Sequence, residues 1–277
     1  MRLKKNQKKS LPRRLIEVAF NSDRFNDSVL YRLYLKLRRP DIYKSRQREN
    51  SFYASLVGKA GGGLVFDIGA NGGAKTALFR KIARHVVCVE PSPALFERLN
   101  QRFARVKNVT VIGKGAGAIQ GSFPFHMFSE TDCYNTFSSK WTDMLMTSDG
   151  TGRPTRLEQA IVDVPVTTLD LLIEQFGLPC YIKIDVEGFE VEVLKGLTRP
   201  VKLLSIECNL PEFESETIEC ITRLSKIQSD VCFNYSTSEP PTKLALENWI
   251  PFAQMRDVIL SRKLMFMEIY AWKGSIT

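Results

Sequence analysis

One short run of residues, VFDIGANGG, gives the clearest indication of chemistry in this sequence. Apolar residues lead to Asp67, and Gly69, Gly72 and Gly73 then form a glycine-rich turn before a helix predicted to begin near Lys75. Glycine adopts backbone angles that other residues resist. The N–H groups at a helix start can bind a carboxylate or a phosphate. The run therefore predicts a turn that binds a nucleotide-like ligand.

The same turn favours an adenosylated amino acid over a dinucleotide. A dinucleotide turn needs G-x-G-x-x-G, and Asn71 stands where the second glycine should make room for the pyrophosphate. Asp67, directly before the turn, offers a carboxylate to an ammonium group instead. S-adenosylmethionine, which carries an ammonium and a carboxylate, fits this pattern better than a polyanion does.

A second acidic residue, Glu90, follows the next apolar run at about the 20-residue separation that places a carboxylate on ribose hydroxyls. Its two oxygens can accept hydrogen bonds from both hydroxyls. Pro91 and Ser92 then turn the chain into a helix that Ser92 could cap. After the third apolar run, Gly115-Ala116-Gly117 is small enough for an adenine ring to lie against the backbone. The predicted cofactor site consists of Asp67, Gly69, Ala70, Asn71, Gly72, Glu90, Pro91, Ser92 and Ala116.

Seven short apolar runs alternate with helical stretches and must position these residues. They are GLVFDI, VVCVE, VTVIG, CYIKID, KLLSIE, VCFNY and FMEIYAW. Such runs are typical of a mostly parallel sheet covered on both faces. The alternation fails at residues 120–166, where we predict a strand at Phe123–Phe128 and a polar loop that acts as a lid. We therefore predict one doubly wound α/β domain over residues 61–277, with this lid inserted.

The positive charge of the chain, +9 overall, is concentrated at the N-terminus. Residues 1–48 hold 15 basic and 4 acidic residues, so the remainder is close to neutral. We predict a basic helical extension over residues 1–60. One of its helical stripes, of a kind typical of packing faces, consists of Val29, Leu30, Leu33, Tyr34 and Leu37.

Other features of the composition predict a cytoplasmic protein. No apolar run is long enough to span a membrane, and the first residues lack the continuous apolar segment of a signal peptide. The six cysteines form no C-x-x-C pair and lie mostly in apolar runs, as reduced, buried cysteines do. They are Cys88, Cys133, Cys180, Cys208, Cys220 and Cys232.

Four segments, VFDIGANGG, VVCVEPSP, VTTLDLLIE and above all YIKIDVEGFEVEVLKGL, resemble the FkbM family of class I methyltransferases. The resemblance covers about residues 63–210. It implies a Rossmann-like, seven-stranded sheet whose last strand runs antiparallel, with S-adenosylmethionine as cofactor. It also implies methyl transfer to a hydroxyl, often of a sugar or natural product, and cofactor contacts from Asp67, Gly69, Asn71 and Glu90.

Two carboxylates, Asp185 and Glu187, follow the apolar run that ends at Ile184. Ligands in such sheets bind at the carboxyl ends of the strands, and methyl transfer to an alcohol needs a base for the hydroxyl proton. Either residue could be that base or orient the hydroxyl. We favour Asp185, since it ends the strand nearest the sulfonium in this fold, whereas Glu187 could simply cap the next helix.

A divalent metal is left open by the sequence. Some relatives bind one with carboxylates at the ends of the fourth and fifth strands, and Asp185 and Glu207 could supply two oxygens here. Cys208 and Asn209 follow Glu207, however, and hard divalent ions prefer several oxygen ligands.

Aromatic and polar residues of the lid favour a small-molecule or glycan acceptor. Sugar faces stack on rings such as Tyr134 and Trp141, while hydroxyls hydrogen-bond to neighbouring polar groups. His85 and His126 are more typical of structural residues, with His126 nearer the lid. Two alternatives remain: the basic arm could serve a nucleic-acid methyltransferase, although no RNA-binding module is recognisable, or the fold could be a non-catalytic binding module.

Overall fold

The computed structural model describes residues 28–129, 134–147, 160–261 and 264–274. The chain divides into two compact units, residues 1–48 and residues 49–277. In chain order the described elements are α1 (Val29–Arg38), α2 (Pro40–Lys59), β1 (Leu64–Ile68), α3 (Ala74–Phe79), β2 (His85–Val89), α4 (Pro93–Phe103), β3 (Val109–Ile112), β4 (Gly115–Ala116), β5 (Gly121–Met127), α5 (Ser139–Met146), β6 (Ala160–Thr167), α6 (Leu169–Phe176), β7 (Tyr181–Ile184), α7 (Glu190–Lys195), β8 (Leu203–Asn209), α8 (Glu214–Ile227), β9 (Val231–Ser236), α9 (Phe252–Ser261) and β10 (Phe266–Lys273).

The main sheet has seven strands in the order β3-β2-β1-β7-β8-β10-β9. Strands β1, β2, β3, β7 and β8 run parallel to one another, and β10 is antiparallel to both β8 and β9. The predicted doubly wound sheet with an antiparallel last strand is confirmed. The direction of winding reverses between β1 and β7, which is where such folds bind ligands.

Both faces of this sheet are buried, which explains why its strands are apolar almost without interruption. On one face, residues such as Phe66 and Ile182 pack with α6, α7, α8 and α9. On the other, Val65 and Tyr181 pack with α3 and with the second half of α2, including Tyr53. Helix α2 therefore contributes to the core of the larger unit.

The predicted lid region contains a second, smaller sheet. Strand β6 pairs in parallel with β4 and antiparallel with β5. Strand β5 lies where we expected a strand at Phe123–Phe128, and α5 follows it. Residues 130–133 and 148–159 of the predicted lid lie outside the described residues, so the lid as a whole stays a prediction.

In the smaller unit, Ser28 is the N-cap of α1, and its side chain accepts a hydrogen bond from the Tyr31 N–H at 3.1 Å. Leu35 is buried, but the five stripe residues from Val29 to Leu37 are exposed. The interpretation of that stripe as a packing face is therefore wrong for the part of the chain that is described. None of the described helices combines the length and apolar character that a membrane span requires.

Candidate functional site

The turn after β1 touches the chain after β7. Gly69 has φ of 82°, and a Cβ there would overlap the backbone carbonyl of Asp185. The Asp185 N–H in turn donates to the carbonyl of Ile68 at 3.0 Å. Only glycine fits such a close approach, so the sequence itself brings the predicted cofactor turn and the predicted base together.

Glu90 is joined to the same turn by hydrogen bonds. Its Oε2 accepts from the Asn71 N–H at 2.7 Å and its Oε1 from the Ser92 N–H at 2.9 Å. The residue is 4% exposed, and this burial raises the pKa of Glu90 to about 7, against the opposing effect of the two backbone donors. Each oxygen retains a further lone pair, so the carboxylate fits a pair of ribose hydroxyls.

Ser92, with Pro91 beside it, occupies the cap position of α4, but its side chain makes no capping hydrogen bond. The capping prediction for Ser92 is therefore wrong. Its backbone N–H serves Glu90 instead. In the turn itself, Gly72 donates its N–H to Asn71 Oδ1 at 2.6 Å, and Ala70 donates to the Val89 carbonyl at 3.1 Å.

Asp67 faces inward. It is 1% exposed, and its Oδ2 accepts a hydrogen bond from Thr76 Oγ1 at 2.6 Å. Burial raises the pKa of Asp67, while Lys183 and Thr76 oppose that rise. The carboxylate thus secures helix α3 behind the turn, and its direct contact with a ligand ammonium stays a prediction.

Ala116 lies in β4 and is buried. A Cβ on Gly115 would lie 2.5 Å from the Phe137 ring, and one on Gly117 would lie 3.0 Å from Val166 Cγ1. These glycines are therefore explained by close packing of the small sheet and the lid. Contact between Ala116 and adenine stays a prediction.

A buried lysine, Lys183, lies beside the predicted base and was missed by sequence reasoning. Its Nζ is 2.6 Å from Asp185 Oδ2 and 4.0 Å from Glu207 Oε2, and the side chain is 2% exposed. Four carboxylates hold the pKa of Lys183 well above its usual value in spite of burial; they belong to Asp185, Glu268, Glu207 and Asp67. The signal was present, because a lysine interrupts the apolar run YIKI.

Glu187 has φ of 54° and Gly188 has φ of 84°. A left-handed conformation is uncommon for a residue with a side chain and concentrates at functional sites. Burial first, and then the charges of Asp185 and Glu207, raise the pKa of Glu187 well above its usual value. Helix α7 is instead held by Glu190, whose Oε1 accepts from the N–H groups of Val186 and Gly188.

The carboxylates considered as metal ligands do not form a metal site. The ammonium of Lys183 already approaches Asp185 and Glu207 from between the two strands. Among the residues that the structure describes, no group of three or more His, Cys, Asp or Glu side chains could hold an ion. Asp185 and Glu207 therefore do not fit a divalent metal, because the cation beside them is the ammonium of Lys183.

The lid segment 134–147 packs directly on the turn that carries Glu187. Thr136 Oγ1 donates to the Glu187 carbonyl at 2.8 Å, and the Phe137 and Phe189 rings lie 5.4 Å apart. Trp141 packs against Phe213 at 5.5 Å and is 4% exposed. Its ring is therefore covered by the protein, which does not fit the stacking role that the sequence suggested for Trp141.

Each of the two histidines forms a hydrogen bond with a threonine. His85 Nε2 lies 2.9 Å from Thr110 Oγ1, on the neighbouring strand. The backbone of His126 exchanges two hydrogen bonds with that of Thr136. Both observations agree with structural roles.

A small pocket, with room for about one water molecule, lies beside Gly188 at the carboxyl ends of β7 and β8. Most of its polar groups are carboxyl, amide or hydroxyl groups. The lining residues are Gly188, Glu190, Glu207, Cys208, Asn209, Phe213, Glu216, Thr217 and Cys220. Burial raises the pKa of Glu190 to about 7 and that of Glu207 to about 8. Both groups therefore hold a proton at higher pH than ordinary carboxylates do.

Comparisons with known proteins found solved structures of low similarity and one matching family model. A solved precorrin-6y C5,15-methyltransferase from Geobacter metallireducens is 12% identical over 76% of this chain and 80% of that chain, with a TM-score of 0.37. A TehB-like S-adenosylmethionine-dependent methyltransferase from Corynebacterium glutamicum is 13% identical over 84% and 97%, with a TM-score of 0.40. No curated protein matches the sequence significantly. The model of the methyltransferase FkbM domain matches residues 67–233. The chain therefore belongs to the FkbM methyltransferase family and is an S-adenosylmethionine-dependent methyltransferase.

Proposed function

We propose that this enzyme transfers a methyl group to a hydroxyl of a sugar, glycan or natural product. The observation that carries the proposal is the position of Asp185. Asp185 follows β7 at the reversal of winding, and its backbone contacts the glycine turn. Its side chain is 27% exposed. A base at that edge can reach both a bound donor and an acceptor.

The cofactor is held, in this proposal, by Glu90, which follows β2, and by the glycine turn to which Glu90 is hydrogen-bonded. Glu90 accepts the ribose hydroxyls, and the N–H groups that begin α3 face the amino-acid end. S-adenosylmethionine supplies an electrophilic methyl group on a sulfonium when it is bound.

Asp185 takes the proton. Lys183 holds Oδ2 at 2.6 Å, and an adjacent ammonium stabilises the negative charge of a carboxylate. The other oxygen, Oδ1, is then the one that accepts the acceptor's O–H. Asp185 would accept the hydroxyl proton while bound S-adenosylmethionine would supply the methyl group and leave as S-adenosylhomocysteine, so that the acceptor becomes a methyl ether.

The acceptor is proposed to place a hydroxyl at the small pocket beside Gly188. Glu190, Glu207 and Glu216 line this pocket, and carboxyl, amide and hydroxyl groups all hydrogen-bond to hydroxyls. The lining therefore suits a hydroxyl-bearing acceptor such as a glycan or natural product.

The test is transfer of an isotope-labelled methyl group from S-adenosylmethionine into panels of glycans, natural products and RNA. We expect label in a methyl ether, which is stable to mild base and has an O-methyl carbon shift in NMR. Asp185→Asn should abolish transfer and leave donor affinity, measured by calorimetry, within about twofold.

Label in RNA would overturn the proposed acceptor class and favour the nucleic-acid alternative. Donor binding without transfer to any fraction of a cell extract would favour the non-catalytic alternative. Unchanged transfer by Asp185→Asn would remove Asp185 from the role of base.

A further inference from the structure

Helix α1 presents a continuous apolar stripe to solvent. Successive residues of an α-helix are rotated by about 100°, so residues spaced i, i+1, i+4, i+5 and i+8 share one side. The exposed fractions of the stripe residues are 76% for Val29, 69% for Leu30, 52% for Leu33, 38% for Tyr34 and 70% for Leu37.

The opposite side of the helix is the one that packs. Leu35 is buried and, at about 100° per residue, points roughly 170° away from the middle of the stripe. Tyr31 lies near Leu35 on the helix surface, and the guanidinium of Arg46 stacks over its ring at 5.4 Å. The buried Leu35 and the covered ring of Tyr31 therefore lie on the side of α1 away from the exposed stripe.

Basic residues border the stripe. By the same rotation Lys36 lies next to Val29 on one edge and Arg38 lies next to Tyr34 on the other. Residues 28–48 carry seven basic residues and one acidic residue, Asp41. The basic residues are Arg32, Lys36, Arg38, Arg39, Lys44, Arg46 and Arg48. An apolar stripe between cations is the arrangement of helices that lie in the interface of an anionic bilayer.

We propose that α1 binds the surface of a membrane that carries negatively charged lipids. The stripe enters the headgroup region, while Lys36 and Arg38 contact the phosphates. Ten residues rise about 15 Å, half the roughly 30 Å of a hydrocarbon core, so the helix lies along the surface. A second copy of the chain fits less well, because two such stripes in contact would bring their bordering cations together.

The test is flotation of the full chain with vesicles of phosphatidylcholine alone or mixed with phosphatidylserine. We expect binding only to the mixed vesicles, weakening as salt is raised. Leu33→Glu with Leu37→Glu should weaken binding at least about tenfold, because two leucine side chains are no longer transferred from water into the bilayer interface. Lys36→Gln with Arg38→Gln should weaken it about fivefold for each charge removed.

The matched control changes two exposed leucines elsewhere, Leu178 and Leu260, which are 58% and 52% exposed. Leu178→Glu with Leu260→Glu should leave vesicle binding unchanged. Donor affinity of every variant, measured by calorimetry, reports folding. The glutamine variants keep the stripe intact and test the proposal even if the stripe variant does not fold.

Three results would overturn the proposal. One is absence of binding to the mixed vesicles, and a second is equal loss in the stripe variant and the control. The third is a dimer in solution that is lost in the stripe variant, together with absence of vesicle binding. The stripe would then bind a second copy of the chain.

Discussion

At the scale of residues, the site is organised around one buried cation. Lys183 lies in β7, opposite Asp67 in the register with β1, and reaches Asp185 and Glu207 with its ammonium. A buried ion pair is costly to form, but removal of one partner costs more because the remaining charge stays buried alone. The cation therefore governs both the stability of this region and the position of the proposed base.

Lys183→Met should lower the free energy of unfolding by about 3–5 kcal/mol, measured by urea denaturation. Lys195→Met is the control, because Lys195 pairs with Glu192 on the surface and such pairs contribute at most about 1 kcal/mol. The double variant Lys183→Met with Asp185→Asn should regain part of the loss. Equal effects of the two single lysine variants would contradict a central role for Lys183.

The two candidate catalytic carboxyls should respond differently to amidation. Burial and the charges of Asp185 and Glu207 raise the pKa of Glu187 well above its usual value, and glutamine resembles the protonated form that this shift favours. Asp185 must take a proton, and asparagine cannot. Asp185→Asn should lower kcat by about 10²–10⁴-fold, and Glu187→Gln by less than about tenfold. A larger loss for Glu187→Gln would reverse the assignment of the base.

At the scale of elements, the two strand ends β1 and β7 are locked together through glycine. At Gly69 there is no room for a side chain, and the backbone φ is positive. Gly72, three residues on, is different, because a Cβ there would meet only the Arg98 guanidinium at 3.9 Å. The same turn therefore offers a forbidden and a permitted site for alanine.

Gly69→Ala should destabilise the protein by at least about 2 kcal/mol, because the backbone of Asp185 has to move. Gly72→Ala should leave the melting temperature within about 2 °C of the wild-type value. Any effect of this variant should be on donor affinity. Melting temperature and calorimetric donor affinity are the measurements. Similar melting temperatures for both variants would show that the contact with Asp185 is not required.

At the scale of the whole molecule, acidic groups along the carboxyl edge of the sheet couple stability to pH. The pKa values of Glu90, Glu190 and Glu207 are raised by burial to about 7, 7 and 8. The folded protein then binds more protons than the unfolded chain between the usual carboxyl range and those values. Stability of the ligand-free protein must fall as pH rises through that window.

Glu207→Gln should remove part of this slope and raise the melting temperature at about pH 8 by roughly 2–4 °C, the shift that about 1 kcal/mol causes in a domain of this size. At about pH 5 the two proteins should differ less, since Glu207 is protonated there. Glu212→Gln, at an exposed carboxylate, should leave the slope unchanged. A wild-type melting temperature that rises from pH 5 to pH 8 would contradict the prediction.

The boundary of the catalytic domain is a second property of the whole molecule. Tyr53 in α2 is fully buried, lies 5.1 Å from Phe79 and donates to Glu268 at 3.3 Å. We propose that the domain begins near residue 49. A chain that starts there should bind S-adenosylmethionine, whereas one that starts at residue 61 loses Tyr53 and Phe52, each worth about 3–5 kcal/mol, and should not fold. Donor binding by the shorter chain would restore the boundary at residue 60.

The sequence alone predicted the succession of strands and helices and a mostly parallel sheet, because near-continuous apolar runs that alternate with helices are typical of such a sheet. It also located the turn at Gly69 and the carboxylates Glu90 and Asp185, because turn glycines and strand-end acids are local signals. The motif YIKIDVEGFE, by its resemblance to the family, located the turn that carries the proposed catalytic residues Asp185 and Glu187.

Only the tertiary structure decided what those side chains face. It paired Lys183 with the carboxylates considered for a metal, covered Trp141 with Phe213, and exposed the stripe of α1. Glu207 and Phe213 come from other elements of the fold, and the exposure of the stripe depends on the orientation of α1. Periodicity along the sequence reports which residues share a face, whereas burial depends on which other surface meets that face in space.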